Sequence, residues 1–394
     1  MNENNVRINT KKFKTRTMNI SRSNGSIRGA FPIAIDCGFS GVKVFSQNTV
    51  AVFPSFAKRL TDELIGELPD THIIYRDLDT GEEWLVGESA QNDVMQDDVT
   101  ISDKAVSDRE RYNEPMFRVL VRTGLGIGCR KNEYGDPAGK TIYVQTGLPV
   151  KYLQRDAPKL IPIIAGHHRF ALRIGNRPET VFDMTIQKNN VYVMEQPKGT
   201  LYSIAKDNSH RFIKEAGDYF RKNLIIFDGG YGTLDIFSIR NNVVVGKETF
   251  PKFSMKEVLK RTIKKIYDTY ETEVSLVGMQ KCLGDGYIKC YDMFSSRNQD
   301  FAEILDAANR EVCDEALEEL GHNLPLYDYN YIVVTGGTGA AWNEMIREKL
   351  KGLDGLTVIN GNQNDTSLPF LFANVRGYYM FLYDRVSVLV SNSR

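Results

Sequence analysis

The sequence predicts an α/β protein of two similar halves facing each other across a cleft. Three observations carry that expectation. An apolar run ending in aspartate and a glycine-rich turn reads Ile33-Ala34-Ile35-Asp36-Cys37-Gly38-Phe39-Ser40-Gly41-Val42-Lys43. The same message returns downstream as Leu224-Ile225-Ile226-Phe227-Asp228-Gly229-Gly230-Tyr231-Gly232-Thr233-Leu234-Asp235. Each copy is a buried strand, a tight hairpin and a returning strand. After each copy the pattern turns from strand meander to helices, so one plan occurs twice.

The bulk numbers fit this reading. The chain has 394 residues, enough for two or three domains, and 42% of them are apolar. Lys+Arg and Asp+Glu balance at 50 each, so the body carries no nucleic-acid signature. No apolar run approaches the roughly 18 residues of a membrane span. The N-terminus is polar, unlike a signal peptide. The five cysteines, Cys37, Cys129, Cys282, Cys290 and Cys313, form no CxxC pair. That set favours a reducing, cytoplasmic setting and argues against a disulfide framework or a zinc site.

Residues 1–30 stand apart, with Arg7, Lys11, Lys12, Lys14, Arg16, Arg22 and Arg28 against the single acid Glu3. They read as a flexible basic arm. A disordered leader is the stronger reading, and electrostatic contact with DNA or an acidic partner the weaker one.

Ordered structure is expected from Phe31. Strands are predicted at 31–36, 42–46 and 50–53, then at 72–76 and 83–87 around Asp79-Thr80-Gly81. A helix is predicted over 114–125, a core strand over 141–146, and strand-like alternation over 168–185 and 189–194. In the second half, strands are expected at 224–228, 233–239 and 242–245, and helices at 254–272, 300–320, 340–351 and 370–384. A buried strand, Tyr331 to Thr335, opens onto Gly336-Gly337-Thr338-Gly339. The expected domains are 31–200, with an insertion over about 54–112, and 201–394, with an insertion over about 250–325.

The aspartate turns suggest phosphate chemistry. Successive backbone N–H groups in a glycine turn can cradle phosphate oxygens. An aspartate at the lip can hold magnesium through water. Asp36 also suits a simple turn cap, and the Asp228–Gly232 glycines also suit a bulge or hairpin. Taken together, matching carboxylates at two strand ends fit a shared magnesium–triphosphate site. Lys43, across the first hairpin, is placed to reach a phosphate as a point charge. Gly336-Gly337 lets a ligand or helix terminus come close. In Met194-Glu195-Gln196-Pro197-Lys198-Gly199, a Glu or Gln can orient water for attack on a γ-phosphate. On the residues alone, a solvated loop before a helix is the better reading there. Two features are set aside. His167-His168 are strand neighbours pointing to opposite faces. Gly124-x-Gly126-x-Gly128 follows a helical pattern, the wrong context for a dinucleotide fingerprint.

In this order the motifs resemble those of the actin/DnaK-chaperone/sugar-kinase ATPase superfamily. Asp36–Lys43 resembles its first phosphate loop, Glu195–Gly199 its first connecting segment, Asp228–Asp235 its second phosphate loop and Val333–Ala341 its adenosine loop. Within that superfamily the chain resembles the ParM-like plasmid-segregation actins. The segments similar to theirs are Val144-Gln145-Thr146-Gly147-Leu148-Pro149-Val150, Trp84-Leu85-Val86-Gly87-Glu88-Ser89-Ala90 and Ala373-Asn374-Val375-Arg376-Gly377-Tyr378. Departures from the pattern are Cys37, Phe39 where a small hydroxyl residue is common, and the basic arm.

The resemblance implies an actin-like ATPase fold: two similar α/β domains, each with an inserted subdomain, around a nucleotide cleft. It implies an ATPase that forms dynamic head-to-tail filaments and segregates plasmid DNA through a ParR-like adaptor bound at centromere-like DNA. The cofactors would be ATP, with GTP not distinguished, and Mg2+ organised by Asp36 and Asp228. Gly38, Phe39, Ser40, Gly41, Lys43, Gly229, Gly230, Tyr231, Gly232 and Thr233 would surround the phosphates. Gly336, Gly337 and Thr338 would lie against the adenosine, and Gln196, ahead of Glu195, would position the attacking water. No direct membrane contact is expected. The alternatives are a non-polymerising small-molecule kinase of the same superfamily and a cell-shape or membrane-associated scaffold.

Overall fold

In the computed structural model, which describes residues 8–61, 66–98, 110–241 and 243–392, the two aspartate turns lie in two sheets of the same plan. Residues 1–7, 62–65 and 99–109 of the expected arm and first insertion, and Asn242 of the expected strand 242–245, lie outside the described residues.

The first sheet is built on β2 (Ala30–Cys37), β3 (Gly41–Ser46) and β4 (Thr49–Pro54), an antiparallel meander edged by β1 (Met18–Ser21). Its other side is extended in parallel by β8 (Thr141–Leu148) and β11 (Val191–Glu195). A second sheet runs β10-β9-β6-β7-β5, from β5 (Ala57–Arg59), β6 (Ile73–Asp77), β7 (Glu83–Val86), β9 (Gly166–Ile174) and β10 (Thr180–Ile186). The insertion expected over about 54–112 therefore supplies only part of this sheet, and a distant segment supplies the rest. The second half repeats the first plan. The meander β12 (Leu224–Gly229), β13 (Leu234–Arg240), β14 (Val243–Phe250) is extended in parallel by β17 (Tyr331–Thr335) and β18 (Thr357–Asn360). A hairpin, β15 (Ile288–Tyr291) and β16 (Ser296–Gln299), stands in its helical insertion.

Helices fill the layers: α1 (Glu88–Asn92), α2 (Pro115–Gly128), α3 (Leu153–Ile164), α4 (Gln196–Ala205), α5 (Ala216–Arg221), α6 (Met255–Tyr270), α7 (Leu276–Asp285), α8 (Ala302–Asn323), α9 (Gly336–Leu350) and α10 (Ala373–Asn392). Helix α3 was not predicted, because Pro158 and Pro162 interrupt its pattern. The glycines of α2 serve packing. A Cβ on Gly124 would fall 2.7 Å from Ile35, and one on Gly126 2.6 Å from Leu172. The helix is thus pressed between the first two sheets, and its core cluster runs from Phe31 to Val191.

Two expectations are corrected. Residues 8–30 are not a free arm. Thr10–Phe13 form a 3-10 turn, β1 pairs with β4, Arg22 meets Asp365 at 2.6 Å, and Asn24 donates to the Ser46 carbonyl at 2.7 Å. Low hydrophobicity misled because these residues dock through hydrogen bonds. The division at residue 200 also fails at the C-terminus. Helix α10 returns to the first sheet, where Val375, Tyr378 and Tyr379 pack on Ala34, Phe45 and Val52. The His167-His168 reading agrees with the structure: His167 meets Asp183 at 2.6 Å on the surface, and His168 is buried against the Ile164 carbonyl.

Candidate functional site

The two hairpins meet at the floor of the cleft. Each strand pair sets one aspartate directly opposite a charged partner. In β2–β3 the register places Asp36 against Lys43, whose Nζ lies 3.0 Å from Asp36 Oδ2. In β12–β13 it places Asp228 against Asp235. Both carboxylates of this second pair are nearly fully buried. Asp235 accepts from the hydroxyl of Thr233 at 3.0 Å and from that of Thr249. Asp228 accepts from Asn374 Nδ2 at 2.7 Å. Asn374 is held in turn by the Thr200 hydroxyl at 2.6 Å, so α4 and the first turn of α10 brace the second aspartate.

Burial, and then the neighbouring Asp235, push the Asp228 carboxyl up to about 7, against the opposing Asn374 hydrogen bond; Asp36 adds to the rise. The floor therefore concentrates like charge that a cation would relieve. This donor set, hard carboxylate oxygens with room for water on the cleft side, fits magnesium bound through its waters. Among the described residues there is no cluster of three or more His, Cys, Asp and Glu arranged as a direct metal cage.

Gln196 opens α4 immediately after β11 and donates through Nε2 to Asp36 Oδ1 at 3.3 Å. Glu195, one residue earlier, turns elsewhere. Its carboxylate pairs with Lys198 and, at 2.6 Å, with Lys247. Burial works to raise it, but the two lysines hold it below its ordinary value. Of the two candidates for orienting water, Gln196 borders the cleft cavity and Glu195 does not.

The cavity between the hairpins measures about 90 Å³. Pockets that enclose drug-sized ligands span roughly 300–1,000 Å³, so the cleft is narrow. Phe39 is one cause: its ring lies so close that a Cβ on Gly232 would fall 2.7 Å from it. The Arg111 guanidinium sits 4.2 Å from the centre of the Phe39 ring and donates to the Gly38 carbonyl at 3.2 Å and to the Cys37 carbonyl.

Most predicted residues gather here. Asp36, Gly38, Phe39, Ser40, Lys43, Gln196, Asp228, Gly230, Tyr231, Gly232, Thr233, Gly336 and Gly337 all line the cavity. Three others sit behind it. Gly41 packs against Thr15, and Gly229 lets α9 approach, since a Cβ there would meet the Gly339 nitrogen at 2.5 Å. Thr338 was expected against the adenosine, but it is buried and donates its hydroxyl to the Gly230 carbonyl at 2.7 Å, fastening α9 to the second turn. Gly336 has φ +81, and a Cβ there would fall 2.2 Å from the Gly229 carbonyl oxygen. No side chain fits. The helix expected from Ala340 therefore starts earlier, at Gly336, and its first turn faces the cleft.

Sequence reasoning assigned no site role to Thr15, Arg111, Gly147, Pro149, Asp235, Leu371 or Asn374, which also line the cavity. Asp235 and Asn374 lay within recognised segments and were findable there. Thr15 and Arg111 had no local signal. A larger cavity of about 1030 Å³, lined by residues such as Leu153, Ile161, Tyr202, Phe237 and Phe381, lies away from the aspartates and is mainly apolar.

Residues 34–199 match the family model of the N-terminal domain of actin-like proteins. No curated protein sequence matches the chain. Among solved structures, the whole structure of a 15-stranded ParM filament from Clostridium botulinum is similar with a TM-score of 0.68 and 19% identity, over 90% of this chain and 99% of that one. A non-polymerisable quadruple mutant of pCBH ParM gives 0.67 and 20% over the same shares. An archaeal actin homologue in complex with ADP gives 0.59 and 13%, again over 90% and 99%. At these identities the likeness establishes the fold.

Proposed function

We propose that this chain, which has the actin-like fold and matches the N-terminal domain of actin-like proteins over residues 34–199, is a polymerising ATPase. It binds ATP and magnesium in the cleft, hydrolyses the nucleotide and assembles head-to-tail filaments. The observation that carries the reading is the convergence of Asp36, Asp228 and Gln196 on one cleft from two sheets of the same plan.

The residues divide the work. Backbone N–H groups of Gly38, Phe39, Ser40, Tyr231 and Gly232 hold phosphate oxygens from two sides. Lys43 neutralises phosphate charge, and Thr233 adds a hydroxyl. Asp36 and Asp228 hold magnesium through its waters, and the ion supplies charge neutralisation at the phosphates. Gln196 orients the attacking water by hydrogen bonding, a positioning role that needs no shifted pKa. Gly336 and Gly337 lie against the adenosine. Nucleotide spanning both hairpins favours one relative orientation of the halves, and losing the γ-phosphate removes part of that preference. Filament contacts that depend on the orientation then weaken. Such a filament requires heterologous contacts that do not close into a ring.

By likeness to the ParM proteins, the cellular task is plasmid segregation in the cytoplasm, with a ParR-like adaptor linking filament ends to centromere-like DNA. GTP remains an alternative fuel. Phosphate release from magnesium ATP tests the chemistry: the parent turns over, Asp228→Ala does not, and Gln196→Ala binds nucleotide but hydrolyses it about 100-fold more slowly. Parental turnover in Asp228→Ala would overturn the assignment.

A further inference from the structure

The N-terminal segment that reads as a free arm borders the cleft through Thr15 and touches both halves. On the second half, the Thr10 hydroxyl donates to the Leu283 carbonyl at 3.0 Å, at the end of α7. Phe13 packs on the core cluster of that half. On the first half, Lys14 Nζ donates to Asn92 Oδ1 at 3.0 Å, and the Thr17 N–H donates to Glu88 Oε2 at 3.1 Å, both on α1. Between these anchors Thr15 borders the cavity and rests on Gly41 of the first hairpin.

A second strand of chain makes the same crossing in the opposite direction. Gln96, after α1, reaches into the second half's insertion. Its Oε1 accepts from the Lys289 N–H at 2.7 Å, and its Nε2 donates to the carbonyls of Lys289 at 3.1 Å and Glu273 at 3.2 Å. Its own carbonyl accepts from the Ser275 N–H at 2.8 Å. The approach depends on Gly278 in α7, where a Cβ would fall 2.0 Å from the Gln96 carbonyl oxygen. Lys14 sits nearby: burial lowers its pKa, and Glu88 of the first half and Asp285 of the second offset that only in part.

Resting on the nucleotide reading above, we propose that residues 9–17 form a strap and Gln96 a clasp that together hold the cleft shut, so that nucleotide exchange requires their release, and that Thr15 belongs to the phosphate site. The crossing contacts are mostly hydrogen bonds, among backbone carbonyls and N–H groups, the Asn92 and Gln96 amides and the Glu88 carboxylate, with Phe13 packed on the second half's core; the hydrogen bonds break and re-form without unfolding either core. The narrow cavity is the state they hold. Strap opening then sets the rate of nucleotide exchange, while the affinity of the open cleft depends on the hairpins.

The test is displacement of a fluorescent ATP analogue from the full-length chain in stopped flow. Thr10→Val with Lys14→Met removes two anchors while keeping side-chain volume. Gly278→Ala breaks the clasp from the other side with a better helix former, so a loss there is not a helix defect. Both are expected to release nucleotide at least fivefold faster than the parent, and Thr15→Val to weaken binding. Amide hydrogen exchange provides the second readout: residues 9–17 gain protection when nucleotide binds. Unchanged release rates in both variants, with the parent binding normally, overturn the strap while leaving the nucleotide site standing. A parent that binds no nucleotide overturns both.

Discussion

Asp228 and Asp235 stand directly opposite each other on adjacent strands, both nearly fully buried at the floor of the cleft. In the first hairpin a cation, Lys43, occupies the corresponding place opposite Asp36. The two turns therefore share a plan but not an electrostatic role. The first sets a lysine directly beside its aspartate, and the second sets two carboxylates together, an arrangement that a proton or a bound cation stabilises.

A pH dependence follows from Asp228. Its carboxyl is pushed from 3.8 up to about 7, so between those values the folded, metal-free chain holds a proton that the unfolded chain releases. Its stabilising contribution is complete below the unfolded value and is lost as pH rises through about 7. Denaturant melts of the metal-free chain at pH 5 and pH 8 are expected to show a smaller difference in Asp235→Asn. Magnesium–nucleotide binding runs the other way and strengthens as pH rises through about 7, because proton and cation compete.

Gln196 and Glu195 are adjacent but separable. Gln196 bonds to Asp36, whereas Glu195 is engaged by Lys198 and Lys247. Glu195→Gln is expected to leave single-turnover hydrolysis within about threefold of the parent, against the roughly 100-fold loss for Gln196→Ala. Equal losses in quench-flow measurements would contradict the separation.

Gly336 is held at φ +81 against the Gly229 carbonyl. Gly336→Ala meets both a backbone clash and the left-handed penalty, and is expected to cost about 2–4 kcal/mol in chemical denaturation. Gly377→Ala belongs to the same class. A Cβ there would fall 1.6 Å from the Gly199 carbonyl oxygen, where α10 crosses α4.

Phe39 narrows the cleft against Gly232. Phe39→Ser is expected to speed nucleotide association by about tenfold, with a smaller effect on the dissociation rate that the strap controls. Stopped-flow association rates check this.

Much of the fold was legible because the buried strands are continuous apolar runs and the turns carry glycine. Ile33–Asp36 and Leu224–Asp228 announced their strands and the aspartates at their ends. The cleft also drew together residues from segments far apart in the chain, as with Gln196 on Asp36. What escaped notice was long-range and polar. Asn374 on Asp228, Gln96 on Lys289 and Thr10 on Leu283 are hydrogen bonds without a local pattern. The second sheet was not foreseen as a unit, because β9 and β10 join it from a distant segment. Thr338 was read as a ligand contact because its hydroxyl follows two glycines, and packing turns that hydroxyl onto the Gly230 carbonyl.

The most direct test of the central claim is light scattering by the purified chain after addition of magnesium ATP. The account predicts a rise as filaments form, a decay as ATP is consumed, and a rise without decay in Gln196→Ala. Scattering that ignores nucleotide, or that follows the same course in Asp228→Ala as in the parent, would contradict it.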